Sequence, residues 1–242
     1  QRVAGACQLG LLVAPELAQA ARLAVAGCEP GSRTVMILRA LPHSPYVRKV
    51  RVAAHELGLA LECVEAHVFD PATPLLAENP LGKVPALVRD DGSVLYDSTV
   101  ICQYLDTLHR GARLFPPEGE ALWQALRRNA LGDGLGQAAT WNIRERYRPE
   151  GERSPRYQAY YERTIDRSFA ALEAEALALA AQFGIGEISI ACAISYVDFR
   201  YSDRGWRSAA PKLGAWYDGV CERPSMRATA LQAYKGPLQP AA

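Results

Sequence analysis

The chain lacks the patterns that announce several common chemistries. Its six cysteines (Cys7, Cys28, Cys63, Cys102, Cys192 and Cys221) form no CxxC pair, and its four histidines are dispersed. Neither set has metal-ligand spacing, so no metal is expected. Charge of one sign is missing as well. The 27 Lys and Arg stand against 26 Asp and Glu, which excludes the basic footprint of a phosphate-backbone binder and makes nucleic acid an unlikely partner. No apolar run reaches the roughly eighteen residues of a membrane span.

What remains is an ordinary globular composition, 49% hydrophobic and 22% charged over 242 residues. That length accommodates one large domain or two small ones, and two are expected. Several cysteines sit in apolar runs, which points to free buried thiols in a reducing compartment and hence to the cytoplasm. Residues 1–34 need separate treatment, because QLGLLVAPELAQAARLAVAGC has the outline of an export signal with a lipobox-like end. Pro15, Glu16 and Arg22 interrupt its apolar core, and neither an initiator Met nor a basic leader precedes it;. The favoured reading places the natural start near Met36 and takes residues 1–34 as a leader, disordered or appended from upstream.

Beyond residue 35 the periodicity predicts a small α/β unit. VMIL reads as a strand buried on both faces. Ser44 and Pro45 open a helix that ends near Leu57 and Gly58: Ser suits the N-cap, Pro the first turn and Gly the stop. Arg48, Lys49 and Arg51 are expected on its solvated face. LECVEAHV alternates like a strand, and ALVR and SVLY form a hairpin across Asp90, Asp91 and Gly92. TVICQYLDTL then has helical spacing. Residues 113–119, with paired prolines and glycine, read as a linker.

All that follows is helical in pattern. One helix covers about Glu120 to Tyr147, although Gly132, Gly134 and Gly136 weaken it by roughly 1 kcal/mol each unless a neighbour packs closely there. A second starts at Ser154 and Pro155, with Tyr157, Tyr161, Ile165, Phe169 and Leu172 on one face. A third, about Glu187 to Tyr201, is apolar nearly all round and belongs at the centre of a helical domain. Pro211 and Pro224 bracket a fourth. The domains predicted are 35–112 and 120–232, with a tail at 233–242.

Ser154 and Pro155 provide an internal control. They start a helix as Ser44 and Pro45 do, yet nothing near Ser154 suggests chemistry, so Ser-Pro alone predicts only a cap. Ser44 differs in its company: NPLGKVPALV at residues 79–88 puts a Val-Pro before a strand, and YDST follows at 96–99. Together with the element order, the ordered set SPYVRKVR, NPLGKVPAL and YDST resembles the glutathione S-transferase superfamily, in its serine-type bacterial form. That resemblance covers about residues 36–230. It implies an α/β thioredoxin-like N-terminal domain followed by an all-α C-terminal domain. The family usually has Ser or Thr, then Asp three residues later, where this chain has Gly184 and Glu187.

The resemblance also implies roles. Pro85 would be cis, presenting the Val84 backbone to an extended peptide such as glutathione. Asp97 and Ser98 would receive the γ-glutamyl end, the carboxylate facing the ammonium while the hydroxyl and a helix N-terminus take the carboxylate. The bland alternative is that Ser98 merely caps its helix. Lys83 would stand near the glycyl carboxylate, with a plain surface lysine as the alternative. Ser44 takes the catalytic position of the serine and cysteine branches. Making a thiol of pKa about 8.5 mostly ionised at neutral pH needs roughly 2.7 kcal/mol. A helix N-terminus supplies up to ~2 kcal/mol and a hydrogen bond to a charged group ~1.5 to 3. His43 is disfavoured as a base. Trp141, Tyr147 and Trp206 read as core before pocket.

The resulting expectation is a homodimeric cytoplasmic enzyme of detoxification, a glutathione transferase. Its partners are glutathione as co-substrate and a small apolar electrophile, with Ser44 stabilising the thiolate. Ser in place of Cys argues against a thiol reductase, which needs protein sulfur for a mixed disulfide. The alternatives are a non-catalytic protein-binding module of the same fold, or a glutathione-dependent isomerase, peroxidase, dehalogenase or ether-cleaving enzyme.

Overall fold

A computed structural model describes residues 36–233, so the expectations for the leader and for the tail beyond Ala233 lie outside the described residues. β1 (Met36–Ala40) runs parallel to β2 (Leu61–Glu65), with Leu38 opposite Cys63. The connection between them is α1 (Pro45–Glu56). β3 (Ala86–Val88) and β4 (Val94–Leu95) form an antiparallel hairpin, and β3 pairs antiparallel with β1. The sheet order is therefore β2-β1-β3-β4. Gly92 takes a φ of 78° in the hairpin turn, as the Asp-Asp-Gly sequence predicts;. α2 (Leu75–Glu78) precedes β3, and α3 (Ser98–Leu105) follows β4.

β1 departs from its expected double burial. Met36, Leu38 and Ala40 are buried, whereas Ile37 and Arg39 are only half-buried. The Arg39 guanidinium makes a bidentate pair with Glu78 of α2, at 2.6 and 2.7 Å, so that face of the sheet carries a polar lid. Of the cysteines described, Cys102 and Cys192 are buried free thiols, but Cys63 is exposed on β2.

The helical half is α4 (Gly119–Tyr147), α5 (Pro155–Leu179), α6 (Ile185–Arg200), short α7 (Trp206–Ala209), α8 (Pro211–Cys221) and α9 (Pro224–Ala228). No strand lies in it among the described residues. α6 is the centre, buried continuously from Ile185 to Val197. Glu187 at its third position accepts the Gly184 amide at 3.0 Å and pairs with Arg128 at 2.8 Å. Glycine at 184 has a packing reason: a Cβ there would sit 2.9 Å from the Leu114 carbonyl. On α5, Ile165, Phe169 and Leu172 are buried as expected, while Tyr157 is exposed.

The expected solvated face of α1 is overturned. Arg48 and Lys49 are both buried, Lys49 at 1% exposure. α1 is enclosed because α6, α3 and α9 pack on it in addition to the sheet, which leaves no wet face for these cations. Arg48 donates to the Met226 carbonyl at 2.9 Å. Lys49 Nζ reaches both carboxylate oxygens of Asp133, at 2.7 and 2.8 Å.

The three glycines of α4 also separate. A Cβ at Gly132 would lie 2.6 Å from the Ile190 amide nitrogen and the Ser189 carbonyl carbon, so α4 and α6 approach at backbone distance there. At Gly134 a Cβ would meet nothing within 4 Å. Gly132→Ala should therefore cost about 1 to 3 kcal/mol or more through overpacking, while Gly134→Ala should gain roughly 0.5 to 1 kcal/mol as an ordinary helix-interior substitution. Urea unfolding of the two variants checks this, and shifts of the same sign would show that the close approach is not real.

Candidate active site

The first polar groups of the site come from helix starts. Ser44 is the N-cap of α1, in extended conformation (φ −79°, ψ 124°), and its Oγ accepts the Val47 amide at 3.3 Å. That bond uses an oxygen lone pair, so the hydroxyl proton remains available for donation. Ser154 caps α5 in the same way, at 3.4 Å from the Tyr157 amide. The two differ in surroundings: Ser44 is buried at the wall of a cavity of about 590 Å³, which Ser154 does not line.

At the start of α3 the capping residue is Asp97. Its Oδ1 accepts the Thr99 and Val100 amides at 3.0 and 3.5 Å. Ser98 is therefore the first helical residue and not the cap, which removes the bland reading of its hydroxyl. The Tyr96–Asp97 and Val84–Pro85 peptide bonds are both cis. The loop before Val84 is pinned by Asn79, whose buried side chain donates to the Lys83 carbonyl at 2.8 Å and accepts the Leu81 amide at 3.0 Å. Lys83 itself is exposed.

All six residues expected at the site, Ser44, Lys83, Val84, Pro85, Asp97 and Ser98, line this one cavity. Its opposite wall is α4, and here the sequence reading missed most. Lys49 links the halves beneath the floor. Besides Asp133, its ammonium reaches Thr99 Oγ1 at 3.2 Å and Asn129 Oδ1 at 3.3 Å, and Ser189 Oγ donates to Asp133 at 3.1 Å. Higher along the wall stand Trp141, Arg144 and Tyr147, with Tyr196 and Arg200 from α6. Trp141 and Tyr147 are thus pocket residues, 42% and 40% exposed, whereas Trp206 is core, 4.7 Å from Phe169. No local signal marks Asn129 or Asp133, whose meaning depends on Lys49, 80 and 84 positions away.

His43 lines the cavity beside Ser44. Burial first, and then the Arg200 and Arg144 charges, push its imidazole down to about 4, so it is neutral at physiological pH. Burial also pushes the nearby Tyr46 phenol far up, and Tyr46 instead donates to the Asp133 carbonyl at 3.2 Å. Taken together, the cavity offers a hydroxyl donor at a helix N-terminus, two helix starts, the backbone at Val84 before a cis proline, and a carboxylate.

Comparison with known proteins identifies this arrangement. The glutathione S-transferase N-terminal domain family matches residues 38–113, and its C-terminal domain family matches residues 156–219. A glutathione transferase family member from Pseudomonas fluorescens Pf-5, solved with bound glutathione, is 41% identical; the match covers 82% of this chain and 100% of that one, with a TM-score of 0.78. It was also solved with S-(propanoic acid)-glutathione. A glutathione S-transferase from Methylobacillus flagellatus KT with glutathione bound is 33% identical over 81% of this chain and 98% of its own, at a TM-score of 0.78. The GST-like protein YibF of Escherichia coli K12, itself uncharacterized, is 28% identical over 77% of this chain and 94% of its own length. With both halves matched in order and relatives covered end to end, the chain belongs to the glutathione S-transferase superfamily.

Proposed function

We propose that this protein is a glutathione transferase of the serine type, in which the Ser44 hydroxyl stabilises the thiolate of bound glutathione for attack on a small electrophile. The observation that carries this reading is convergence: six residues from three separate segments of the sequence line a single cavity with Ser44 at a helix N-terminus. Glutathione in the Pseudomonas and Methylobacillus relatives supports the same co-substrate here. The propanoic acid on sulfur in the Pseudomonas relative supports sulfur as the reacting atom.

In this mechanism the thiol proton leaves to solvent, and the thiolate accepts the Ser44 O–H hydrogen bond at the positive end of the α1 dipole. The Val84 backbone pairs with the cysteinyl unit. Asp97 Oδ2, not engaged in the cap, faces the γ-glutamyl ammonium, while Ser98 and the α3 N-terminus take its carboxylate. Lys83 attracts the glycyl carboxylate. The division of labour we adopt gives glutathione to 35–112 and most of the second-substrate wall to 120–232. The buried free thiols Cys102 and Cys192 support a cytoplasmic setting;. We read the active form as a homodimer, acting in detoxification.

Retention on immobilised glutathione and turnover of chlorodinitrobenzene test the enzyme reading. A folded protein that ignores millimolar glutathione would defeat it, and one that binds without turnover would favour the non-catalytic module. Ser44→Ala should raise the pKa of the bound thiol by about one to two units, since it removes one hydrogen bond to a charged group worth roughly 1.5 to 3 kcal/mol. An unchanged pH-rate profile would refute the role of Ser44.

His43 is not the base, because its folded pKa lies near 4. The unfolded chain regains the ordinary value of about 6.5 and binds more protons than the folded chain between those limits. Its contribution to stability is complete above about pH 6.5 and declines as pH falls toward 4. Urea unfolding at about pH 7 and about pH 5 should therefore show a smaller loss for His43→Gln than for the parent. Equal losses would remove His43 as the source.

A further inference from the structure

Many of the described arginines are paired with carboxylates. Arg146 and Arg204 share Glu162, Arg127 and Arg128 both meet Glu175, and Arg223 holds Glu56. Others are not: Arg48, Arg51 and Arg153 donate to backbone carbonyls instead, and among the described residues only two arginines, neither with an acid, line the cavity. These are Arg144, in the last turn of α4, and Arg200, the last residue of α6. Arg200 is half-buried. Its guanidinium lies 4.9 Å from the Phe199 ring centre, and its Nη1 is 3.5 Å from the Tyr147 hydroxyl. Its Nε is buried with no hydrogen-bond partner. Guanidiniums at helix C-termini are favourable on dipole grounds alone. That accounts for Arg146 equally well, yet Arg146 pairs with Glu162 and does not line the cavity.

α4 serves as a ruler for where these charges fall. Asn129 and Asp133 bond Thr99, beside Asp97 and Ser98. Gly136 lies level with the start of α1, since a Cβ there would be 3.8 Å from Pro45 and 3.6 Å from the Tyr46 hydroxyl. Arg144 is eight residues further, about 12 Å along the axis. The thiol position at Ser44 thus falls between the acidic end and the two arginines. The guanidiniums sit beyond the sulfur, where the second substrate must lie.

We propose that Arg144 and Arg200 form an anion receptor, and that the electrophile of this enzyme carries a carboxylate. This rests on the transferase reading above and replaces the expectation of an apolar second substrate. The receptor orients the acid so that its electrophilic carbon meets the sulfur: the sulfur lone pair forms the S–C bond, and the leaving group departs with its bonding pair. Burial first, and the charges of Arg200 and Arg144 after it, depress the adjacent His43 imidazole, so both guanidiniums are felt at the Ser44 end of the cavity. Tyr147 and Trp141 supply the flat apolar walls for the remainder of the molecule.

The test uses two matched ligands, the glutathione conjugates of chloronitrobenzoate and of chloronitrobenzamide, which differ only in carboxylate against amide. Calorimetry with the full chain should show the carboxylate conjugate binding about tenfold more tightly or better, as one charge-assisted pair provides. In Arg200→Gln and in Arg144→Gln that preference should fall toward one. Arg144 is exposed, so its variant folds even if the other does not. Equal affinity of the parent for both conjugates overturns the proposal and leaves the transferase reading standing. Arginine variants that weaken glutathione itself as much as the carboxylate conjugate also overturn it, because the arginines would then serve the co-substrate. Carboxylate preference without turnover of either aryl chloride upholds the receptor and defeats the transferase reading.

Discussion

One buried charge fixes the geometry of this molecule. Stripping an ammonium of water costs several kcal/mol, and only a well-placed counter-ion with further hydrogen bonds returns it. Lys49 is 1% exposed, so the cost is incurred in full and the compensation must be exact in position. It comes from Asp133 and Asn129 of α4 and Thr99 of α3, with Ser189 of α6 holding Asp133 in turn. Four helices are thereby registered on one nitrogen. Two of them begin with the capping residues of the site, Ser44 on α1 and Asp97 on α3. The contact at Gly132 belongs to the same constraint, because only a residue without a Cβ lets the Ser189 backbone come close enough for its hydroxyl to reach Asp133.

The caps show how folding and chemistry share atoms without competing. Ser44 spends a lone pair on the Val47 amide, and Asp97 spends one carboxylate oxygen on Thr99 and Val100. In each case the group the proposed mechanism assigns to a ligand is the one the helix does not use: a hydroxyl proton in the first, a second oxygen in the second. A helix N-terminus needs acceptors, whereas a thiolate needs a donor. Serine is the small side chain that offers both.

How much of this can be read from the chain depends on the range of the interaction. Ser44, Pro45, Gly92 and Pro85 act on neighbours within a few residues, so their meaning is visible locally, whereas the cis Tyr96–Asp97 bond, which has no proline, is not;. The order of elements follows from the same short-range signals. Lys49 defeats that reading, because a charged residue is assigned to solvent unless its partner is known, and Asp133 lies 84 positions away. At Asp97 and Ser98 the helix starts where the spacing places it, and only the alternative of Ser98 as its cap falls, because Asp97 takes that place. Among the aromatics, Trp141 and Trp206 look alike in sequence. Only the packing of α7 against Phe169 sends one to the core and leaves the other at the cavity. The charge of Arg144 and Arg200 is legible, but their lack of acids is a property of three dimensions.

These observations divide the cavity into a stiff half and an adjustable half. At the Lys49 end, removal of Asp133 leaves a buried ammonium without its counter-ion, a loss of about 3 to 5 kcal/mol by general experience with such pairs. Substitution there is a question of folding before it is one of binding. At the far end of α4, about 16 Å from Asp133 by helical rise, Arg144 and Tyr147 are solvent-exposed, and among the described residues Tyr147 meets only Arg200 of the cavity wall by hydrogen bond;. Their replacement costs little stability and alters directly what meets the sulfur. On the proposed reading, a single long helix therefore holds the glutathione end constant while leaving the choice of second substrate open at the other.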